Sequence, residues 1–252
     1  MDESFCMKDN FSHSSDKYLQ FRPVYPEDLY DFLLSKVRAR ERAWDCGTGN
    51  GQVAASLSPH FNEVYATDIS ENQIIHAIKK NNIFYSVEDS ANASFPSDFF
   101  DLIVVAQAIH WFDFKAFYKQ VAHVANPGAV FAAVGYGLLQ VNKLADAVTR
   151  HFYEDVTGPY WDAERRYIDE NYQTIPFPFE EFAAPEMKIE TQWKLEHLIG
   201  FLRTWSAVRH YELSTGSDPL LFIQSELSNI WGKEEVKSVT FPIFIRAGTV
   251  CK

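Results

Sequence analysis

The sequence predicts an α/β fold: a parallel, doubly wound sheet carrying a helical lid. Three observations predict it. Strand and helix signals alternate strictly from Ala43 to Val134, which calls for crossover helices and parallel strands. Asp101–Ala106 reads Asp-Leu-Ile-Val-Val-Ala, apolar on both faces as a central parallel strand must be. Ala43–Gly51 reads Ala-Trp-Asp-Cys-Gly-Thr-Gly-Asn-Gly, and Val64–Asp68 follows as a second short strand ending in an acid. That is strand, glycine turn, helix, strand, the plan of a nucleotide-binding βαβ unit.

The elements follow in order. Phe21–Pro26 holds two prolines, which impose extended geometry on the residues before them. Pro26 suits the first turn of a helix that runs to about Arg40, with Leu29, Phe32, Leu33 and Val37 on one face. Ala43–Cys46 is the first strand, Gln52–Leu57 a short helix stopped by Pro59, and Glu63–Thr67 the second strand. Ser70 and Gln73 have capping-box spacing, opening a helix to about Lys80. Ile83–Val87 is the third strand, and Glu88–Asp98 is a polar loop. Asp101–Ala106 is the fourth strand, Asp113 caps a helix reaching Val124, Asn126-Pro127-Gly128 stops it, and Ala129–Val134 is the fifth strand.

After Gly135 the rhythm changes. Val141–Tyr153 and Trp161–Tyr172 have helical spacing with no strand between them, and Thr174–Pro185 reads as an irregular linker. Lys188–Leu195 alternates as a half-buried strand. Long helices are expected over Glu196–Tyr211 and Asp218–Trp231. On the first of them Leu198, Leu202, Trp205 and Arg209 would share a face, with Arg203 on the adjoining stripe. Val239–Ala247 is a last strand, with Pro242 inside it. The resulting division is an N-terminal segment (1–25), a nucleotide-binding core (26–137), a helical lid insertion (138–185), and C-terminal strands with further lid helices (186–252).

Composition narrows the class. The chain has 252 residues and a net charge of −11, which argues against nucleic-acid backbone as a partner. Met1–Asn10 is polar and acidic, and no apolar run approaches the roughly 20 residues of a membrane span. Cys6, Cys46 and Cys251 have no disulfide or zinc spacing, so a cytoplasmic setting without metal is expected. Aromatics make up 15% of the chain, with 21 Phe; an aromatic-lined cavity and a Phe-rich core are both compatible with that.

Two ligand classes fit the glycine turn. Gly49-Asn50-Gly51-Gln52-Val53-Ala54 matches the dinucleotide pattern G-x-G-x-x-A, with Asp68 placed to hold a ribose. Asp45-Cys46-Gly47-Thr48-Gly49-Asn50-Gly51 equally matches the acid-x-Gly-x-Gly-x-Gly pattern of S-adenosylmethionine sites. Asp45 favours the second, because a strand-tip carboxylate can meet an ammonium group, whereas hydride transfer has no particular use for it. An NAD-dependent oxidoreductase and a silent cofactor-binding protein are the alternatives.

In Asp45–Gly51, Asp68, Ser90–Phe95, Phe100–Ile103 and Ala106–Phe112 the chain resembles the class I S-adenosylmethionine-dependent methyltransferases of the methyltransferase-11 type. Tyr18, Arg22–Pro26 and Leu202–Ser206 make it similar to the trans-aconitate methyltransferase branch. The resemblance implies a Rossmann-like seven-stranded sheet of order 3-2-1-4-5-7-6 with strand 7 antiparallel. Val239–Ala247 would then be internal, and a bulge is expected at Pro242. It also implies an N-terminal segment folded over the cofactor, S-adenosyl-L-methionine, and a small-molecule acceptor such as a carboxylate or other oxygen nucleophile, in a monomer or homodimer without nucleic-acid or membrane partners. The expected cofactor set is Tyr18, Arg22, Asp45, Gly47, Thr48, Gly49, Asp68, Ile69, Asp89, Ala91, Asn92 and Gln107. Many relatives carry an acid where Asn92 stands, so Glu88 or Asp89 is an alternative adenine reader. His110 is the candidate base should the acceptor need one, and Trp111 offers a ring face to a cation. Arg165, Arg166, Arg203 and Arg209 are candidates for binding a carboxylate beneath the lid.

Overall fold

The computed structural model describes residues 21–232 and 235–251. Helix α1 (Glu27–Lys36) buries Leu29, Tyr30, Leu33 and Leu34. Strand β1 (Arg42–Cys46), helix α2 (Gln52–Leu57), strand β2 (Glu63–Asp68), helix α3 (Glu71–His76) and strand β3 (Ile83–Val87) follow. Then come β4 (Phe100–Ala106), α4 (Phe114–Val124) and β5 (Ala125–Tyr136). The second half of the chain holds α5 (Lys143–His151), α6 (Arg166–Asp169), β6 (Glu180–Phe182), β7 (Met187–Trp193), α7 (Leu195–Arg203), α8 (Ser206–Thr215), α9 (Gln224–Trp231) and β8 (Lys237–Thr249).

The sheet runs β3-β2-β1-β4-β5-β8, with β6 and β7 both pairing the far edge of β8. Strands β1 to β5 pair in parallel, and β8 is antiparallel to β5. This is the expected order, with Met187–Trp193 and Lys237–Thr249 as the last two positions and β6 as an additional short strand. Leu102 and Val104 face one apolar layer; Ile103 and Val105 face the other. Most phenylalanines serve these layers: Phe100 and Phe117 surround Trp44 at 5.6 and 6.3 Å between ring centres. Among the described residues no helix is long and apolar enough to cross a membrane.

Several boundaries move, each for a tertiary reason. Helix α3 stops at His76 rather than Lys80 because the Ile78 N–H donates to the Asn50 carbonyl at 2.9 Å, drawing the chain back over the glycine turn. Strand β5 starts at Ala125, ahead of Asn126-Pro127-Gly128. The Asn126 amide donates to Asp101 at 2.7 Å, and a register shift between Phe100 and Leu102 absorbs the extra residues. The expected helix over Trp161–Tyr172 shrinks to α6, ending where Asn171 and Tyr172 adopt positive φ. The helix expected over Glu196–Tyr211 is two helices. Trp205 is extended (φ −72°, ψ 133°) and turns its indole against Phe152 and Trp161 at 5.9 and 5.4 Å. Packing of one large aromatic thus overrides helix continuity, and Arg209 no longer shares a helix with Leu198.

No register shift accompanies Pro242, where a bulge was expected. It pairs Lys188 in an unbroken run from Met187 to Trp193. Its carbonyl accepts from Gly137 N–H at 2.9 Å, and a strand residue's N and O point to the same side. The missing N–H therefore faces the end of β5, where pairing stops at Tyr136 and Ile243, and costs no ladder bond to β7.

Candidate functional site

The C-terminal tips of β1, β2 and β4 meet at the glycine turn. Gly47 and Thr48 N–H groups both donate to the Thr67 carbonyl at 2.9 Å. Gly47, Gly49 and Gly51 all adopt positive φ (70°, 53° and 81°), which glycine alone adopts at little cost. At Gly47 a Cβ would also lie 2.6 Å from the Ala108 Cβ. Asp45 is buried, its Oδ2 accepting from Thr48 Oγ1 at 2.5 Å and from Ala54 N–H at 2.9 Å. Its Oδ1 has no partner among the described residues. Burial lifts the Asp45 carboxyl to about 7, against the opposing pull of the Thr48 and Ala54 bonds. Asp68 accepts from Gly49 N–H and Ser70 N–H at 2.8 and 2.9 Å. Cys46 is fully buried under this turn, and burial pushes its thiol well above the ordinary range. It packs as a small core side chain, in register with Thr67.

A cavity opens over this turn. Its walls include Arg22, Tyr25, Asp45, Gly47, Thr48, Gly49, Asp68, Ile69, Glu88, Ser90, Gln107, Trp111 and Tyr136. A second cavity adjoins it, walled by Arg22, Gln107, His110, Trp111, Trp161, Asp162, Arg165, Ile168, Trp205 and Ser206. Arg22, Gln107 and Trp111 line both. Gln107 has φ +54° and donates through Nε2 to the Tyr136 carbonyl at 3.0 Å. Arg22 donates to Tyr136 Oη at 2.9 Å and to the Thr204 carbonyl at 3.3 Å. In the second cavity Arg165 donates to Tyr153 Oη at 2.7 Å and lies over the Tyr153 and Trp161 rings at 5.1 and 4.6 Å. His110 is buried, its Nδ1 3.1 Å from Tyr172 Oη. Burial, aided by Arg165, holds its imidazole down at about 3.

The structure thus brings Arg22, Asp45, Gly47, Thr48, Gly49, Asp68, Ile69 and Gln107 to one cavity, and His110, Trp111 and Arg165 to its neighbour. Tyr18 lies outside the described residues. Asp89, Ala91 and Asn92 are absent from the walls of either cavity. The Asp89 carboxylate accepts from Ala91 N–H at 2.7 Å in a local turn, while Glu88 and Ser90 face the cavity. Arg166 is on the surface, against the Tyr167 ring at 4.7 Å. Arg203 pairs with Asp218 and Glu212 at 2.5 and 3.7 Å, and Arg209 lines neither cavity. Among the described residues the cations lining the two cavities are Arg22 and Arg165, the latter also 3.7 Å from Asp169. Trp205, from the Leu202–Ser206 segment, lines the second cavity, and Trp161 and Asp162 line it without any motif in the sequence; Tyr136 and Tyr172 complete the surroundings, hinted at only by the abundance of aromatics.

Residues 44–133 match the family model described as a methyltransferase domain. A Dictyostelium discoideum protein described as a methyltransferase is 30% identical over 245 residues, covering 94% of this chain and 93% of that protein. A solved structure from Anaeromyxobacter dehalogenans, described as a type II methyltransferase, is 41% identical, covers 91% of this chain and 98% of its own, and superposes with a TM-score of 0.85. A Bacillus halodurans structure, 16% identical with a TM-score of 0.52, shares the fold. With the glycine turn, the strand-tip acids and the sheet order already in place, these likenesses establish that the chain belongs to the class I S-adenosylmethionine-dependent methyltransferases.

Proposed function

We propose that this chain methylates a small molecule bearing an anionic oxygen, foremost a carboxylate, with the donor over the glycine turn and the acceptor in the adjoining cavity. The observation that carries the reading is the pair of cavities joined through Arg22, Gln107 and Trp111. The donor cavity fits the cofactor chemically. The unpartnered, buried Asp45 Oδ1 suits an ammonium group. Gly47 and Gly49 leave the backbone bare where a ligand must approach closely. Asp68 suits ribose hydroxyls, and Glu88 with Ser90 suits the adenine edge. When bound, S-adenosylmethionine supplies a methyl group already activated on a cationic sulfur. The chain's own residues therefore position the acceptor and exclude water. Arg22 and Arg165 attract an anion, and the indoles of Trp111, Trp161 and Trp205 wall a planar body. With its imidazole near 3, His110 is a poor base at neutral pH, and a carboxylate needs none because it is ionised there.

A panel of carboxylic acids, phenols and amines, scored by S-adenosylhomocysteine release, tests this. Acids are expected to lead. Turnover confined to amines or neutral alcohols would overturn the acceptor class. Undiminished S-adenosylmethionine affinity in Asp68→Ala, measured by titration calorimetry, would overturn the placement of the donor.

A further inference from the structure

Tyr172 belongs to none of the motifs, yet among the described residues it holds the one ring lining the second cavity that can exist in two neutral forms. We infer that Tyr172 locks His110 in the tautomer protonated on Nε2, so that His110 offers the acceptor cavity an N–H donor for an anionic oxygen and no lone pair for a proton. The inference rests on the reading above for the identity of the cavity, and it deepens that reading from a positioned acid to an acceptor that must arrive already ionised.

Tyr172 is fully buried, and among the described residues its hydroxyl has a single hydrogen-bond partner, His110 Nδ1 at 3.1 Å. A buried O–H that fails to donate loses more than an oxygen that leaves a lone pair idle. The phenol must therefore donate, and Nδ1 is the acceptor available to it. An imidazole that accepts at Nδ1 while neutral carries its proton on Nε2. Both groups stay in the protonation states this needs. Burial raises the phenol far beyond neutral pH, and burial with the nearby Arg165 keeps the imidazole uncharged.

The lock is held from behind. Tyr172 has φ +61°, a conformation that a bulky residue adopts only when its surroundings impose it. Its N–H donates to the Tyr167 carbonyl at 2.7 Å. Its carbonyl accepts from Arg246 Nη1 at 3.3 Å. Its ring meets Phe244 edge-on at 4.8 Å. On the other side of His110 no protein group among the described residues bonds Nε2, and the ring lines the cavity beside Gln107, Trp111 and Arg165. Among the described residues the charged side chains lining that cavity are Arg22, Arg165 and Asp162, with Asp169 3.7 Å from Arg165 and His210 3.8 Å from Asp162. A neutral N–H donor among them favours an oxygen bearing negative charge.

The test is a two-bond proton–nitrogen correlation spectrum of the full chain labelled with ¹⁵N-histidine and saturated with S-adenosylhomocysteine, His110 being assigned by its loss in His110→Gln. The expected pattern is a protonated Nε2 with a bare Nδ1, unchanged from pH 5.5 to 9, and moving when benzoate is added but not when benzamide is. A bare Nε2, or a His110 that titrates in that range, overturns the lock; signals unmoved by benzoate overturn the anion-holding role. In Tyr172→Phe the Nδ1 and Nε2 shifts are expected to converge as the tautomers mix, and an unaltered spectrum in the folded variant also overturns the lock. The wild-type spectrum decides the tautomer even if that variant fails to fold. Calorimetry with S-adenosylhomocysteine reports separately on the donor site: absent binding there, with the Nε2–H tautomer intact, counts against the proposed function and not against the lock.

Discussion

The two cavities are built by opposite means. The cavity proposed for the donor is made chiefly of backbone and acids at the tips of β1 and β2. Its key contacts are short in sequence: Asp45 reaches Thr48 and Ala54, and Asp68 reaches Gly49 and Ser70. The cavity proposed for the acceptor is made of aromatic side chains and guanidinium groups drawn from short, irregular turns. Its contacts span the chain, as when Arg22 reaches Thr204 and His110 reaches Tyr172. Under the proposed function, a group common to every reaction of the family is held by local geometry, whereas the variable partner is met by long-range packing that leans on the sheet through Tyr136 and Phe244.

The comparison can be broken most forcefully at Gly47. Gly47→Ala places a Cβ 2.6 Å from Ala108 and 3.3 Å from Phe112 in a left-handed backbone. The strain costs about 1–2 kcal/mol and overpacking about 1–3 kcal/mol more. A melting temperature lower by roughly 5–15 °C is expected, with no further protection by S-adenosylhomocysteine, as read by thermal scans with and without it.

Asp45→Asn is next. The folded carboxyl sits near 7 against an ordinary 3.8, so the folded protein keeps a proton there that the unfolded chain has lost. This group's contribution to stability is therefore greatest at low pH and is lost as the pH rises from about 4 to 7. In Asn the amide oxygen can still accept from Thr48 and Ala54. The variant is expected to melt higher than wild type at pH 8, by roughly 5 °C, yet to bind S-adenosylmethionine at least about tenfold more weakly, a loss of ~1.4 kcal/mol. Lower stability together with unchanged affinity would remove the ammonium-binding role.

Arg203→Ala should do least. Its partners Asp218 and Glu212 are reached at the surface, and exposed pairs contribute under about 1 kcal/mol. Acceptor KM should be unchanged in steady-state assays, whereas a rise of tenfold or more would return Arg203 to the acceptor site.

The same contrast explains what the sequence disclosed. Periodicity and glycine spacing are local signals, so β1, α2, β2, α4 and the glycine turn were legible almost to the residue. The Ser70 cap was legible for the same reason, its Oγ accepting from Gln73 N–H at 3.4 Å. The lid was not. The break at Trp205 follows from Phe152 and Trp161, residues more than forty positions upstream, and the short strand Glu180–Phe182 exists only because β8 offers it Ala247–Thr249. Helical spacing placed Arg203 and Arg209 on stripes of a helix that packing had divided. Glu88 and Ser90 alternate with Asp89 along one loop, and which of them faces the cavity depends on a turn that the composition does not encode.

Strand β8 carries a consequence for how the molecule is made. It is the neighbour of β5 on one edge and of both β6 and β7 on the other, so three segments of the sheet wait on Lys237–Thr249. During synthesis the parallel half, β1 to β5, can assemble as it emerges, while β7 has no strand to join until some fifty further residues have been made. A comparable separation divides β1 from β4, but the second cavity also needs Trp161, Trp205 and Ser206, so it cannot be complete until long after the glycine turn has been made.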